Sequence, residues 1–150
     1  MIYIGVDPGK SGGYAVIDGN NVRIYSWDDA LFISDMRGAK CLADMDKRKI
    51  IAAVEKVGAR PGQGVTSMFN FGKSAGYIEG VLTALGIPYQ LITPKRWKSE
   101  FSLNGSKDNS IEVCKRLFPD VSLRRTDRCR KDDDGMAEAL LMAEYARRKL

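Results

Sequence analysis

The chain of 150 residues contains no histidine. Histidine is the side chain that most often serves as a general base near neutral pH, and it is among the commonest ligands of transition metals. Its absence leaves carboxylates, lysine, tyrosine and cysteine as the groups that any acid–base or metal chemistry of this protein has to use.

Cysteine and long apolar runs are also scarce. The three cysteines, Cys41, Cys114 and Cys129, lie far apart and do not form a metal-knuckle spacing, and their odd number argues against a disulfide framework. No apolar run reaches the length of about 18 residues that a membrane-spanning helix needs, and the first residues lack the pattern of a signal peptide. We therefore expect reduced thiols, no membrane segment and a cytoplasmic protein, in a bacterial host if a phage encodes it.

What the chain does have is the composition of an ordinary globular domain with a basic surplus. Hydrophobic residues make up 44% of the sequence, and a single domain over residues 1–150 is long enough to bury a real core. Lysine and arginine number 24 against 19 aspartates and glutamates, which gives a net charge of +5. That surplus suggests a polyanionic partner.

The stretch from Met1 to Ile17 organises the rest of the chain. Its first residues are mostly β-branched or aromatic and have the length of a buried strand, which Asp7 ends. Residues 8–13 read Pro-Gly-Lys-Ser-Gly-Gly, a composition that permits a tight turn into a second strand at Tyr14. An aspartate before Pro-Gly is also ordinary turn chemistry, so Asp7 becomes a functional candidate only if other residues supply partners for it.

The order of the predicted elements indicates an α/β fold. Residues 18–21 read Asp-Gly-Asn-Asn, a hairpin signal, so the first three strands form an antiparallel meander that ends near Trp27. The pattern then predicts a helix or broken helix over 28–49, strands over 50–54 and 89–92, and helices over 67–85, 95–101, 106–118 and from Asp132 onward. We expect a mixed sheet, the meander followed by parallel strands, with helices on both faces.

Three glycines stand out in the helix predicted over residues 67–85. Gly72, Gly76 and Gly80 recur every four residues. Each costs about 1 kcal/mol of helix propensity relative to alanine. The expected compensation is a close backbone approach along this face, to a sheet, to another helix or to a second subunit.

Four acidic residues form the candidate catalytic set. Asp7 and Glu55 each end a predicted buried strand, and Asp134 and Glu138 lie four apart on one face of the last helix. If the strands share a sheet and the helix crosses their carboxyl ends, the four carboxylates converge, which favours a bound cation. Oxygen ligands select Mg²⁺ or Mn²⁺, and a pair of such ions suits phosphodiester hydrolysis.

Simpler interpretations exist for several of these acids. Aspartate is a favoured N-cap, and acids stabilise the first turn of a helix through its dipole. We assign Asp132 and Asp133 to that structural role. Glu55 at a strand end could merely be solvated, as we expect of its neighbour Lys56.

Five segments carry a resemblance to a known family. In chain order they are Ile4-Gly5-Val6-Asp7-Pro8-Gly9, Val54-Glu55, Gly72-Lys73-Ser74-Ala75-Gly76, Pro94-Lys95-Arg96-Trp97-Lys98 and Asp134-Gly135-Met136-Ala137-Glu138-Ala139-Leu140-Leu141. Together they span nearly the whole chain, and in this order they resemble the RuvC-type Holliday-junction resolvases of phages and prophages, which have the ribonuclease H-like fold.

The resemblance implies a homodimer that cuts two strands of a four-way DNA junction symmetrically. It implies that Asp7, Glu55, Asp134 and Glu138 are catalytic and bind Mg²⁺ or Mn²⁺, with two ions. Family members often carry aspartates as the last two acids, sometimes with a histidine in the first position. Here the last acid is glutamate, and Asp133 competes with Asp134. The glycine-spaced helix is then the natural dimer face, although packing onto its own sheet fits the spacing equally well.

Basic side chains flank the predicted acid cluster. The candidate DNA-binding residues are Lys73, Lys95, Arg96, Lys98 and Lys107, with a second run at Arg124, Arg125, Arg128, Arg130 and Lys131. Contacts from such residues to phosphates position the backbone without reading sequence, whereas an isolated lysine is usually only solvated. By resemblance, Lys98 and Lys107 lie near the scissile phosphate. Met68, Phe69 and Phe71 could insert at an unstacked junction, but we expect them in the core.

These observations lead to a metal-dependent, structure-selective DNA endonuclease. Two alternatives remain open, a ribonuclease H acting on RNA–DNA hybrids and a non-catalytic protein that binds DNA junctions. An actin-like sugar kinase also begins with aspartate and a glycine-rich turn, but such enzymes need two domains of this kind.

Overall fold

The computed structural model of the chain describes residues 1–58, 62–103 and 107–150, with the backbone alone at residues 107 and 108. Within these ranges the chain forms five strands and five helices. The strands are β1 (Ile2–Asp7), β2 (Gly13–Asp18), β3 (Asn21–Ser26), β4 (Ile50–Glu55) and β5 (Tyr89–Ile92). The helices are α1 (Asp29–Met45), α2 (Val65–Ala84), α3 (Pro94–Glu100), α4 (Lys107–Leu117) and α5 (Asp134–Lys149).

The five strands form one mixed sheet in the order β3-β2-β1-β4-β5. β1, β2 and β3 pair antiparallel as a meander, and β4 and β5 are added in parallel beside β1. The turn between β2 and β3 contains Gly19 at a φ of +59°, a conformation that favours glycine. The predicted mixed sheet is therefore confirmed.

Side chains alternate between two cores, one on each face of the sheet. Ile4 of β1 and Val54 of β4 face the core that α1 and α2 cover. Ala15 of β2 and Ala53 of β4 face the other core, which helices α3, α4 and α5 cover. Because both faces are buried, the central strands read as nearly continuous apolar runs, as the sequence of β1 does.

Helix α5 crosses β1 at very short range. A Cβ atom at Gly5 would lie 2.1 Å from the carbonyl oxygen of Ala139 and from the nitrogen of Ala143, so only glycine fits. At the start of the helix, a Cβ at Gly135 would lie 2.1 Å from the carbonyl oxygen of Ser11. These two glycines fix the height and the register of α5 over the sheet.

The glycines of α2 do not serve the close approach to the chain's own sheet that the spacing suggested. A Cβ at Gly72, Gly76 or Gly80 would meet no described atom within 4 Å. Helix α2 packs through another face, on which Ala75, Ile78 and Leu82 are buried. The interpretation as packing onto the sheet is therefore wrong for the residues that the structure describes.

Two helices, α1 and α2, differ from their predictions. The segment predicted as a helix or broken helix is one continuous helix, α1, capped by Asp28, whose side chain accepts a hydrogen bond from the Leu31 amide at 2.8 Å. Helix α2 begins at Val65 after Gly64 rather than at Ser67. None of the described helices is long and apolar enough to cross a membrane.

Candidate active site

The carboxyl ends of β1 and β4 bring Asp7 and Glu55 together. The two strands are parallel neighbours, and Val6 lies opposite Val54 in their register. The next residue on each strand therefore emerges at the same edge of the sheet. This is the placement that the sequence predicted from two acids that end buried strands.

Helix α5 adds a third carboxylate at this edge. Glu138 directly precedes Ala139, whose carbonyl packs on Gly5 of β1, so the close approach of the helix holds Glu138 near the strand end. One carboxylate oxygen from each of Asp7, Glu55 and Glu138 lies within 4.8 Å of the others. Three oxygen donors at this separation can share one divalent cation.

The neighbouring carboxylates change the pKa of Asp7. The pKa of this carboxyl is raised from 3.8 to about 8, first by burial and then by the charges of Glu55 and Glu138. The charge of Asp134 also raises the pKa, whereas Lys98 lowers it. A buried carboxyl among like charges gains most from a cation that neutralises all of them.

Asp134 lies near this group without belonging to it. Its charge acts on Asp7, but among the described residues the set of oxygens within 4.8 Å contains only the other three acids. Its neighbour Asp133 is the N-cap of α5 and accepts a hydrogen bond from the Met136 amide at 2.9 Å. Asp133 also forms an ion pair with Arg125. The carboxylate of Asp133, which the sequence left as an alternative metal ligand to Asp134, is therefore already engaged.

Asp132 has a different structural role from the one we expected. It does not cap α5 but forms an ion pair with Lys115 of α4 at 2.5 Å. The assignment of Asp132 to a cap is therefore wrong, although its role remains structural. The N-cap is Asp133, the residue immediately before the first helical turn.

Trp97 had no predicted role of its own, and the structure brings it to the acid cluster. Its ring is fully buried, and its Nε1 donates a hydrogen bond of 2.7 Å to Oε2 of Glu55. A carboxylate that accepts a hydrogen bond from a buried indole has one oxygen held in a defined direction. The detectable signal was a single large aromatic residue inside the basic segment Lys95–Lys98 directly after a strand.

Lys98 supplies the positive charge inside the site. Its Nζ lies 2.9 Å from Oε1 of Glu138 and 5.1 Å from the centroid of the Trp97 ring. The side chain is about one-third exposed, whereas Glu138 is only 15% exposed. Lys98 thus reaches from solvent into the acid cluster and offsets part of its negative charge.

The other predicted DNA-binding residues of the first group are distributed over three helices. Lys95 and Arg96 are exposed on α3, with the Arg96 guanidinium 6.0 Å from the centroid of the Tyr145 ring. Lys73 is exposed on α2. Lys107 opens α4, but its side chain lies outside what the structure describes.

Two phenylalanines near the start of α2 behave differently from one another. Phe71 lies against the turn after β1, where its ring would be 3.1 Å from a Cβ at Gly9. Phe69 is 72% exposed, so the expectation of a core position is wrong for this residue. Phe71 is only partly buried, and the exposed ring of Phe69 is available to a partner.

Comparison with known proteins decides the fold. No family model matches the sequence, and no curated protein sequence matches it either. Among solved structures, Thermus thermophilus RuvC in complex with a Holliday-junction substrate matches with a TM-score of 0.60 at 14% identity, over 99% of this chain and 96% of that chain. The fold is that of the RuvC-type resolvases.

Two further structures share the RuvC-type fold. Another structure of Thermus thermophilus RuvC matches with a TM-score of 0.55 at 18% identity, over 99% of this chain and 96% of that one. The yeast mitochondrial Holliday junction resolvase Ydc2 matches with a TM-score of 0.53 at 15% identity, over 93% of this chain and 75% of that one. At identities this low, the structural matches establish the shared RuvC-type fold alone. Any role of an individual residue has to be argued from the geometry of the site.

Proposed function

We propose that this protein is an endodeoxyribonuclease that resolves four-way DNA junctions by divalent-metal-dependent phosphodiester hydrolysis. The observation that carries the proposal is the group of three carboxylates within 4.8 Å at the edge of a RuvC-type sheet. The protein would act as a single domain in a bacterial cytoplasm. Two of the similar solved structures are described as Holliday junction resolvases or as a complex with such a junction.

The donor set fits Mg²⁺ or Mn²⁺. All candidate ligands are carboxylates, which are hard oxygen donors, and no described histidine or thiol competes among them. Asp7, Glu55 and Glu138 would hold the first ion, and Asp134 would contribute to a second. Bound metal would activate the attacking water and stabilise the leaving oxygen of the phosphodiester.

The protein's own side chains prepare the site for this chemistry. Trp97 holds one oxygen of Glu55, so the carboxylate does not have to be oriented when the ion binds. Lys98 offsets part of the negative charge of the cluster and lies close enough to it to contact the phosphate of a bound strand. Burial of Asp7 keeps bulk water from screening these charges.

Basic residues on both sides of the cluster would bind the DNA backbone. Lys73, Lys95 and Arg96 are exposed and able to reach phosphates, and Lys107 belongs to the same proposal by resemblance. Such contacts bring affinity that falls with salt and carry no sequence preference. The exposed ring of Phe69 would insert between unstacked bases near the exchange point of the junction.

A homodimer would place two such sites on the two strands of one junction. The open face of α2 suits this role, because its three glycines cost about 3 kcal/mol of helix propensity that no described contact within the chain repays. A second copy of α2 could approach these glycines at backbone distance. The dimer would therefore form through α2, on the side away from the buried residues Ala75 and Ile78.

Cleavage of a labelled four-way junction tests the proposal. The wild-type protein should nick the junction in Mg²⁺ or Mn²⁺ and not in EDTA. Asp7→Asn should abolish nicking and leave binding intact, whereas Asp120→Asn, an exposed acid in the loop after α4, should behave as wild type. Binding without divalent-dependent heat or nicking would indicate a non-catalytic junction-binding protein, and preferential cutting of RNA–DNA hybrids would indicate a ribonuclease H.

A further inference from the structure

A cleft of about 630 Å³ lies between the end of β3 and the loop over residues 122–127. Its volume is in the range of ordinary ligand sites. The lining combines aromatic rings, hydroxyl groups and guanidinium groups, from Tyr25, Trp27, Ser122, Arg124, Arg125 and Thr126. None of these residues belongs to the acid cluster, and Arg124 and Arg125 come from the second basic run, to which the proposed function assigns no contact.

The cleft opens at the same edge of the sheet as the acids. Gly13 of β2 pairs with Asp7 on one side and with Ser26 on the other, and Trp27 follows Ser26. The amide of Trp27 donates a 3.1 Å hydrogen bond to the carbonyl of Gly12, in the turn that leaves Asp7. Two strand spacings, about 10 Å, therefore separate Asp7 from the mouth of the cleft.

The aromatic wall of the cleft is rigid. The ring of Trp27 packs on Phe32 with centroids 5.0 Å apart, and its Nε1 donates a 2.9 Å hydrogen bond to Asp29. The ring is nevertheless only partly buried, because it also lines the cleft. A fixed and partly exposed indole is a stacking surface for a base, and such stacking is independent of base identity.

One of the two guanidinium groups, that of Arg125, is also placed by the fold. Arg125 forms an ion pair with Asp133, which is 9% exposed and caps α5, so the arginine is tied to the helix that carries Glu138. Arg124 has no acidic partner within 4.0 Å in the described part of the chain. A second cleft of about 330 Å³ shares Arg125 and adds Arg130 and Lys131.

Acidic residues limit how much charge the cleft offers. Asp28 and Asp127 line it together with the two arginines. The carboxylate of Asp28 is already engaged with the Leu31 amide at the start of α1, whereas Asp127 is exposed. A ligand held here is therefore bound by stacking and by local arginine contacts rather than by a broad positive field.

We propose that the cleft is a subsite for an unpaired nucleotide of the DNA strand that enters the active site. The base stacks on Trp27, and its phosphates contact Arg124 and Arg125, with the next phosphate toward Arg130. The distance of about 10 Å to Asp7 is short enough for one DNA strand to reach both the cleft and the acid cluster. The position of the subsite relative to the scissile phosphate rests on the proposed nuclease function, whereas nucleotide binding by the cleft does not.

Tryptophan fluorescence tests the subsite in the whole protein without metal. The chain has two tryptophans, and Trp97 is fully buried, so a ligand in the cleft should quench Trp27 selectively. In EDTA, tetrathymidylate should quench the wild-type protein, and a short blunt duplex should not. Arg124→Gln should weaken tetrathymidylate binding about tenfold, as expected for one lost charge-assisted contact.

Two further variants serve as controls of opposite kind. Asp127→Asn removes a negative charge from the lining and should strengthen binding about two- to threefold. Arg37→Gln removes an exposed arginine on α1, outside the cleft, and should leave the affinity unchanged. All three substitutions replace exposed side chains, so we expect each variant to fold. Their affinities for tetrathymidylate can therefore be compared directly.

Absence of quenching by tetrathymidylate, equal quenching by the duplex, or an unchanged affinity in Arg124→Gln would overturn the subsite. Junction cleavage, measured on the same preparations in Mg²⁺, keeps this result separate from the proposed function. Cleavage without quenching removes the subsite and leaves the nuclease. Quenching with the expected variant effects but without cleavage supports nucleotide binding by the cleft and removes the nuclease.

Discussion

Asp7 should make the metal-free protein less stable as the pH rises. The carboxyl has a pKa of about 8 in the folded protein, raised by burial and by its acidic neighbours, against 3.8 for an ordinary aspartate. Between these two values the folded state holds a proton that the unfolded state has released. The free energy of unfolding therefore falls with rising pH across this window, and the loss is complete once the folded carboxyl ionises.

The magnitude follows from the size of the shift. Each pH unit across the window removes about 1.4 kcal/mol, so a carboxyl that titrates near 8 costs about 3 to 4 kcal/mol between pH 5 and pH 8. Asp7→Asn has no proton to lose and keeps the shape of the side chain. The stability of the wild-type protein relative to Asp7→Asn should therefore decline by that amount from pH 5 to pH 8.

Urea unfolding in EDTA at closely spaced pH values measures this difference. Subtracting the free energy of unfolding of Asp7→Asn removes the contributions of the other titrating groups to first order. Addition of Mn²⁺ at pH 8 should restore the wild-type protein and leave the variant unchanged, because an ion that binds only the folded state stabilises it. Parallel curves for the two proteins between pH 5 and pH 8 would refute the assignment of Asp7 to a buried, crowded carboxylate cluster.

Three other predictions concern Trp97, Lys98 and Gly76. Trp97→Phe keeps an aromatic ring but removes the hydrogen bond to Glu55, so the Mn²⁺ affinity measured by calorimetry should fall about tenfold. The control Trp27→Phe should leave that affinity unchanged. Lys98→Met removes the charge that lowers the pKa of Asp7, so the loss of stability relative to the Asp7→Asn background should continue to a higher pH than in the wild-type protein. Gly76→Leu should convert a dimer to a monomer in sedimentation velocity, because the open face of α2 can no longer approach a second copy. The control Gly38→Leu on α1 should leave the dimer intact.

The sequence alone predicted the architecture because its signals are local. Alternation and apolar runs identify strands, and an Asp-Gly-Asn-Asn segment specifies the hairpin between β2 and β3. The convergence of Asp7 and Glu55 followed from one further step, since parallel strands end at the same edge of a sheet. Glu138 joined them through the helical spacing of the last segment, although nothing local in the sequence fixed the height of that helix above the sheet.

Only the tertiary structure decided which residues complete the site and its surroundings. A four-residue glycine spacing predicts a close approach but not its location, and the approach within the chain occurs at Gly5 and Gly135 instead. Trp97 reaches Glu55, and Arg125 reaches Asp133, across 42 and 8 residues of sequence. Such contacts depend on how elements pack against one another, and packing is set by the shapes of many side chains at once rather than by any repeating local pattern.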